Sequence, residues 1–184
     1  MSDLPRLPAR PFVLIRHGET TANRDQIIAG RLDVALTEAG RKQAQALQNL
    51  HWEQPLAIFT SPMTRARHTT SLAFPDHPAT VHPLLRERDW GVFEGRPLRD
   101  LPPRDATPED GEGWAAMIAR VHTALVACIT EAGTALPVLI CHSGVIRATR
   151  LLTGQPDVGQ RALNAHPLHY RPIGEIHEET LHEF

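Results

Sequence analysis

The 184 residues suffice for one domain with a sizeable core, and 41% apolar with 22% charged residues is the composition of an ordinary globular chain, not of a disordered or membrane-embedded one. With 19 basic against 21 acidic residues, the net charge of -2 excludes a global attraction to nucleic acid or an anionic membrane and leaves any anion binding to a few placed residues. Cys128 and Cys141 both lie in apolar runs and are too few for a disulfide framework or a four-cysteine zinc site, which fits a reducing cytoplasm.

Residues 1–10, at the start of MSDLPRLPARP, read as a tail laid on the surface, because the apolar run that follows is too short for a signal peptide or a membrane span. FVLI (12–15) has no polar alternation and predicts a strand covered on both faces in a parallel sheet. LTEAGRKQAQALQNL (36–50) predicts an amphipathic helix, with Thr37 as N-cap, Glu38 in the first turn and Ala44, Leu47 and Leu50 at helical spacing. LAIFT (56–60) is a second short strand, after which Ser61-Pro62 predicts a helix start with serine as cap and proline at the first helical position.

ATVHPLL (79–85) predicts a short strand, and GRPLRDLPPRDATPEDGEG (95–113) a loop-like insertion near the surface that reads as a short lid. From Trp114, the residues Ile118, Val121, Leu125 and Cys128 recur every three or four positions and predict a long helix. PVLIC (137–141) is a third buried strand, HSGVIRATRLLTG a turn and helix closed by Gly154, and LHYRPI a segment of edge strand.

Strands alternating with helices predict a single α/β domain over 1–184, a three-layer α/β/α sandwich with a mostly parallel central sheet and helices on both faces. Ligands of such sheets bind outside the carboxyl ends of the strands, where this sequence places Arg16 and His17, Arg65 in the first turn after LAIFTSP, and His142 after VLIC. A guanidinium fork matches phosphate oxygens, and a helix N-terminus beside Arg65 adds partial positive charge, so the expected ligand is a phosphate group. Adjacent strand residues point to opposite faces, so Arg16 and His17 share one pocket only if the strand breaks between them, and Gly18 supplies freedom for that turn. Taken singly, such an arginine is usually a solvated charge and such a histidine a turn or core residue. The recurrence of strand, basic residue and turn into a helix at three places carries the reading.

Four blocks in order, RHGETTAN, SPMTRARHTT, LRERDWGVFEG and CHSGVIRA, together with GRLDVALTEAGRKQA between the first two, resemble the histidine phosphatase superfamily in its phosphoglycerate mutase-like branch. The resemblance implies that His17 is the nucleophile that accepts the phosphoryl group. It implies that Arg16, Arg65 and His142 form the phosphate pocket with Asn23 as a further contact, and that Glu87 is the proton donor. The backbone near Thr20 is a secondary candidate for phosphate binding, since a turn or cap role explains Glu19, Thr20 and Thr21 equally well. If the segment around Glu87 is extended, Arg86 and Arg88 point away from it and read as solvated charges outside the site.

The implied chemistry needs an unprotonated imidazole, which two neighbouring arginines favour, and a protonated Glu87, which a phosphate dianion bound nearby favours. In the second step Glu87 reverses its role and takes the proton of the attacking water, with no metal or cofactor required. Eleven histidines raise the question of a metal site, but His166, His169, His177 and His182 are scattered and read as surface residues. The 54 residues between Glu87 and His142 leave room for a small lid only, which favours a phosphatase acting on a small phosphorylated metabolite. A phosphoglycerate mutase is the enzyme alternative, and a catalytically silent phospho-ligand binding module is the second alternative. The chain is expected to be a monomer or a homodimer.

Overall fold

The computed structural model describes residues 4–182 and shows one six-stranded sheet between two layers of helices. The strands are β1 (Phe12–Arg16), β2 (Leu56–Thr60), β3 (Ala79–Val81), β4 (Leu136–Cys141), β5 (Pro167–Ile173) and β6 (Ile176–Leu181). They lie in the order β3-β2-β4-β1-β5-β6. The first four are parallel neighbours, while β5 pairs antiparallel with β1 and β6 antiparallel with β5. The last twenty residues do add an edge strand, β6, while LHYRPI itself lies in β5, one place in from that edge.

The expected covering of FVLI on both faces follows from its period of two. Phe12 and Leu14 join Leu139 and Cys141 in one core, while Val13 and Ile15 join Val138 and Ile140 in the other. The first core is closed by helices α4 (Trp114–Glu131) and α5 (Ser143–Leu152), which supply Val121, Leu125, Val145 and Ile146. The second is closed by α2 (Glu38–Ala46) and α3 (Thr64–Ala73), with Leu47 and Ala66 among its buried residues. A further short helix, α1 (Thr21–Arg24), follows β1. Thr37 caps α2 by accepting from Gly40 N at 3.0 Å, a bond of about 1 kcal/mol in such positions. The predicted helix over 36–50 is shorter than expected, passing into a 3-10 turn at Leu47–Asn49.

Residues 1–3 of the expected tail lie outside the described residues. Leu4 and Leu7 pack against the α4 side of the core, and Arg10 donates to Ile129 O at 2.9 Å and Ala135 O at 3.3 Å. The 95–113 segment carries a 3-10 turn at Leu98–Asp100 and lies across the C-terminal end of the sheet beside α4 and α5. Helix α3 starts two residues later than predicted. Met63, in extended conformation, is its N-cap without a side-chain bond, and Ser61 is instead drawn to the strand ends.

Those strand ends are held in register by the main chain: His17 N donates to Cys141 O at 3.1 Å and Ser61 N to Ile140 O at 3.0 Å. The chain leaving β1 then passes against the first turn of α2. Here Gly18 matters for its missing side chain, not for an unusual turn, because a Cβ on it would lie 2.4 Å from Gly40 O. Gly40 is constrained reciprocally, with Glu19 O 2.0 Å from its own would-be Cβ. Both contacts are with backbone, which cannot swing away. Gly18→Ala is therefore expected to cost about 1–3 kcal/mol, read as a lower urea midpoint; an unchanged midpoint would contradict this packing.

Candidate active site

His17 emerges at the C-terminal end of β1, almost fully buried, with Nδ1 2.8 Å from Gly18 O. A carbonyl oxygen only accepts, so Nδ1 carries the proton and Nε2 carries the lone pair. Burial and the neighbouring Arg65 and Arg16 hold its pKa well below the ordinary imidazole value, which keeps that lone pair available. Asn164, in the loop before β5, fixes the same residue from the other side by donating Nδ2 to His17 O at 2.7 Å. Nothing in the sequence around Asn164 marks it, because its partner is a main-chain carbonyl far away in the chain.

A cavity of about 220 Å³, partly open to solvent, faces His17 and is lined by Arg16, Arg65 and Glu87 together with apolar side chains. Arg16 donates Nη1 to Ala162 O at 2.8 Å, and Arg65 donates to Leu32 O at 2.9 Å and Gly30 O at 2.7 Å. These carbonyls orient the two guanidinium groups without neutralising them. Among the described residues, six buried side-chain polar atoms lack a hydrogen-bond partner. Four of them, Arg16 Nε, Arg65 Nε, Ser143 Oγ and Arg147 Nε, belong to residues of this cavity wall. A fifth is Nδ1 of His142. Orphaned donors gathered at one cavity are the signature of an anion site, since each costs about 1–3 kcal/mol when left unmade.

His142 follows β4, but it stands behind the cavity and is not part of its wall. Its ring centroid is 5.2 Å from that of His17, and Nε2 is 2.7 Å from Ser61 Oγ. Burial, Arg65, His17 and Arg16 hold its pKa well below the ordinary value. Ser61 thus anchors a histidine while still accepting from Met63 N at 3.3 Å in the turn that leads into α3.

Thr20 and Asn23 bond to each other across α1: Asn23 N donates to Thr20 Oγ1 at 3.2 Å, and Thr20 N donates to Asn23 Oδ1 at 3.1 Å. The backbone of Thr20, expected to touch phosphate, is therefore committed to a capping box. Both residues still line the cavity, and Asn23 has its Oδ1 occupied also by Asn164 Nδ2 at 3.3 Å.

Glu87 is held by two main-chain donors, Arg88 N at 2.8 Å and Gly144 N at 3.1 Å, the second from the first turn of α5. A Cβ at Gly144 would lie 2.2 Å from Glu87 Oε1, so any side chain there would displace the carboxylate. The reading of Arg88 as a solvated charge is corrected by the structure, which buries it completely. It donates to Glu112 O at 2.9 Å, Arg104 O at 2.9 Å and Ala106 O at 2.8 Å, and stacks 4.2 Å over the Trp90 ring. Arg120 of α4 does the same for the other flank, donating to Leu84 O at 2.7 Å and Arg86 O at 3.0 Å while paired with Glu112. Alternation along an extended chain could show that Arg88 points away from Glu87, but not that a proline-rich loop would fold over it.

The tail histidines are less uniform than expected: His177 is buried with Nε2 3.2 Å from Arg10 O, and His169 lies 3.2 Å from His182. Among the described residues, no group of three or more histidine, cysteine, aspartate or glutamate side chains is arranged to hold a metal ion. Nor is any helix among them long and apolar enough to cross a membrane.

A family model of the histidine phosphatase superfamily (branch 1) matches residues 12–173. The adenosylcobalamin/alpha-ribazole phosphatase of Salmonella typhimurium is 33% identical over 158 residues, 76% of this chain and 78% of that protein. A probable phosphoglycerate mutase of Yersinia pestis is 30% identical over 169 residues, 82% of this chain and 78% of that one. Among solved structures, a putative alpha-ribazole-5'-P phosphatase from Escherichia coli superposes with a TM-score of 0.81 at 29% identity, covering 95% of this chain and 96% of the other.

The two buried histidines couple the site to stability. Both are held neutral when folded, whereas in the unfolded chain they protonate near the ordinary value of about 6.5. The unfolded chain therefore binds more protons below that pH, and stability falls as pH drops through it. Each histidine contributes a slope of up to about 1.4 kcal/mol per pH unit, with His169 and His177 acting in the same direction. Urea unfolding is expected to show a lower midpoint at pH 5.5 than at pH 7.5 and a shallower dependence in His142→Gln; equal midpoints in the wild type would contradict this.

Proposed function

The chain belongs to the histidine phosphatase superfamily, and we propose that it hydrolyses a small-molecule phosphomonoester through a phosphohistidine on His17, with Glu87 as proton donor. The observation that carries this reading is the gathering of partnerless donors of Arg16 and Arg65 beside a histidine whose Nε2 lone pair is free. In the first step Nε2 forms a bond to phosphorus as the bond to the leaving oxygen breaks, and that oxygen takes the proton of the Glu87 carboxyl. Charge building on the phosphoryl oxygens meets Arg16, Arg65 and the N-terminus of α5, fixed before the reaction begins. In the second step water attacks phosphorus, Glu87 as carboxylate takes its proton, and the N–P electron pair returns to Nε2. No metal or cofactor enters this sequence of steps.

Relatives of this chain carry the names of a phosphatase and of a mutase, so the choice between those activities rests on the site. A mutase must keep water from the phosphohistidine until a sugar acid accepts the group. Here the segment over the cavity is the short 95–113 loop with one 3-10 turn at Leu98–Asp100, and the cavity is partly open to solvent, which supports hydrolysis. The two buried free cysteines accord with a reducing cytoplasm as the place of action.

The roles assigned to His17 and Glu87 separate in their dependence on the leaving group. His17→Ala is expected to lower phosphate release from every monoester by at least about a thousandfold. Glu87→Gln is expected to lower kcat/KM by about 10² to 10⁴ for an alkyl phosphate, whose alkoxide must be protonated. Its loss is expected to be far smaller for 4-nitrophenyl phosphate, whose phenolate leaves unaided. Equal losses on both substrates would remove Glu87 from the role of acid, and release that persists in His17→Ala would remove the covalent mechanism.

A further inference from the structure

Buried hydroxyls in this protein are committed to partners. Thr69 donates to Arg65 O at 2.8 Å, Thr70 to Ala66 O at 2.9 Å, Thr149 to Val145 O at 2.9 Å and Thr153 to Thr149 O at 2.9 Å. Thr20, Thr60 and Ser61 are bonded as well. Ser143 is the exception among the described residues: it is 8% exposed, and its Oγ has no hydrogen-bond partner.

Its place in the helix explains why. A hydroxyl inside a helix donates to the carbonyl four residues back, as those four threonines do. Ser143 is the first residue of α5, so the carbonyl four back belongs to Leu139 in the middle of β4 and offers no such bond. No base touches the hydroxyl either, so Ser143 is not an activated nucleophile. A serine whose hydroxyl is buried and unbonded is a cost to the fold unless a ligand completes it.

Its chain neighbours show which ligand. His142 packs its ring on that of His17, with centroids 5.2 Å apart, and Gly144 N donates to Glu87 Oε2 at 3.1 Å. Ser143 comes between them in the chain and lines the cavity with Arg16, His17, Arg65 and Glu87. A phosphoryl group passing between the leaving oxygen and Nε2 lies between His17 and Glu87, with its three equatorial oxygens turned to the cavity wall. Arg16 and Arg65 bring charge to those oxygens, and the serine hydroxyl brings a neutral, directional donor.

We infer that Ser143 is a catalytic residue whose hydroxyl donates a hydrogen bond to an equatorial oxygen of the phosphoryl group in both steps. It keeps its own proton throughout. In the first step the Nε2–P bond forms as the P–O bond breaks, and Glu87 supplies the proton to the leaving oxygen. In the second, water oxygen bonds to phosphorus, the N–P electron pair returns to Nε2, and Glu87 takes the proton. The inference rests on the phosphohistidine reading of the same cavity.

The test compares Ser143→Ala with Ser143→Cys, which keeps a side chain of similar shape but donates weakly. Both are expected to lower kcat/KM by about 10 to 10², and equally for an alkyl phosphate and for 4-nitrophenyl phosphate, unlike Glu87→Gln. Affinity for orthovanadate, which adopts the five-coordinate geometry of the transition state, is expected to fall at least about tenfold by calorimetry, and affinity for inorganic phosphate by less. The urea midpoint of Ser143→Ala is expected to stay the same or rise, since a buried polar atom with no partner is removed. Unchanged turnover and vanadate affinity in both variants overturn the inference. So does a loss in Ser143→Ala that Ser143→Cys restores, or a loss that comes with a lower urea midpoint, because either outcome makes the serine a packing residue. If the wild type hydrolyses no ester, weaker vanadate binding in both variants leaves Ser143 as an anion donor and overturns the phosphatase reading.

Discussion

The bond between His17 Nδ1 and Gly18 O is the constraint on which the rest of the site depends. It chooses the tautomer, and the tautomer chooses which nitrogen can attack phosphorus. The bond exists because the chain turns immediately after β1, with Gly18 pressed against Gly40 and its own N–H donated to Thr69 Oγ1 at 3.0 Å. A side chain at Gly18 or Gly40 would push that turn away from α2 and with it the carbonyl that orients the ring. Main-chain packing between β1 and α2 thus sets the tautomer of a side chain.

The electrostatics of the cavity run against the folded state and in favour of function. Burying guanidinium groups with no carboxylate beside them and with their Nε atoms unpartnered costs free energy, and the fold accommodates that cost at the ends of β1, β2 and β4, where the main-chain register is fixed by backbone bonds. The contrast with Arg88 and Arg120 is instructive. Those arginines are equally buried but saturated by carbonyls and Glu112, and they hold the Glu87 segment and the 95–113 loop in place. One class of arginine builds the wall and the other waits at it, so an anion that enters is expected to restore stability as well as to react.

Much of this was legible in the sequence because it follows from local periodicity. FVLI and PVLIC read as central strands from their lack of alternation, and the polar residues just past them as a site from the rule that ligands bind at the carboxyl ends of a parallel sheet. What escaped the sequence depended on partners distant in the chain. Ser61 looks like a helix cap until His142 is beside it, Arg88 looks solvated until the loop folds over it, and Asn164 has no motif because it bonds a main-chain oxygen. At Gly18 the sequence points to the freedom of a turn, whereas the need is space against Gly40, a contact between two segments that no single stretch of sequence displays.

The central claim is that a phosphoryl group passes through Nε2 of His17. Rapid quenching in base during turnover of a ³²P-labelled monoester, followed by peptide mapping and nuclear magnetic resonance of the labelled imidazole, tests it directly. An acid-labile, base-stable adduct on Nε2 of His17 that forms and decays at rates consistent with turnover is the predicted result. Steady phosphate release with no labelled His17, or label on Nδ1, would contradict the account.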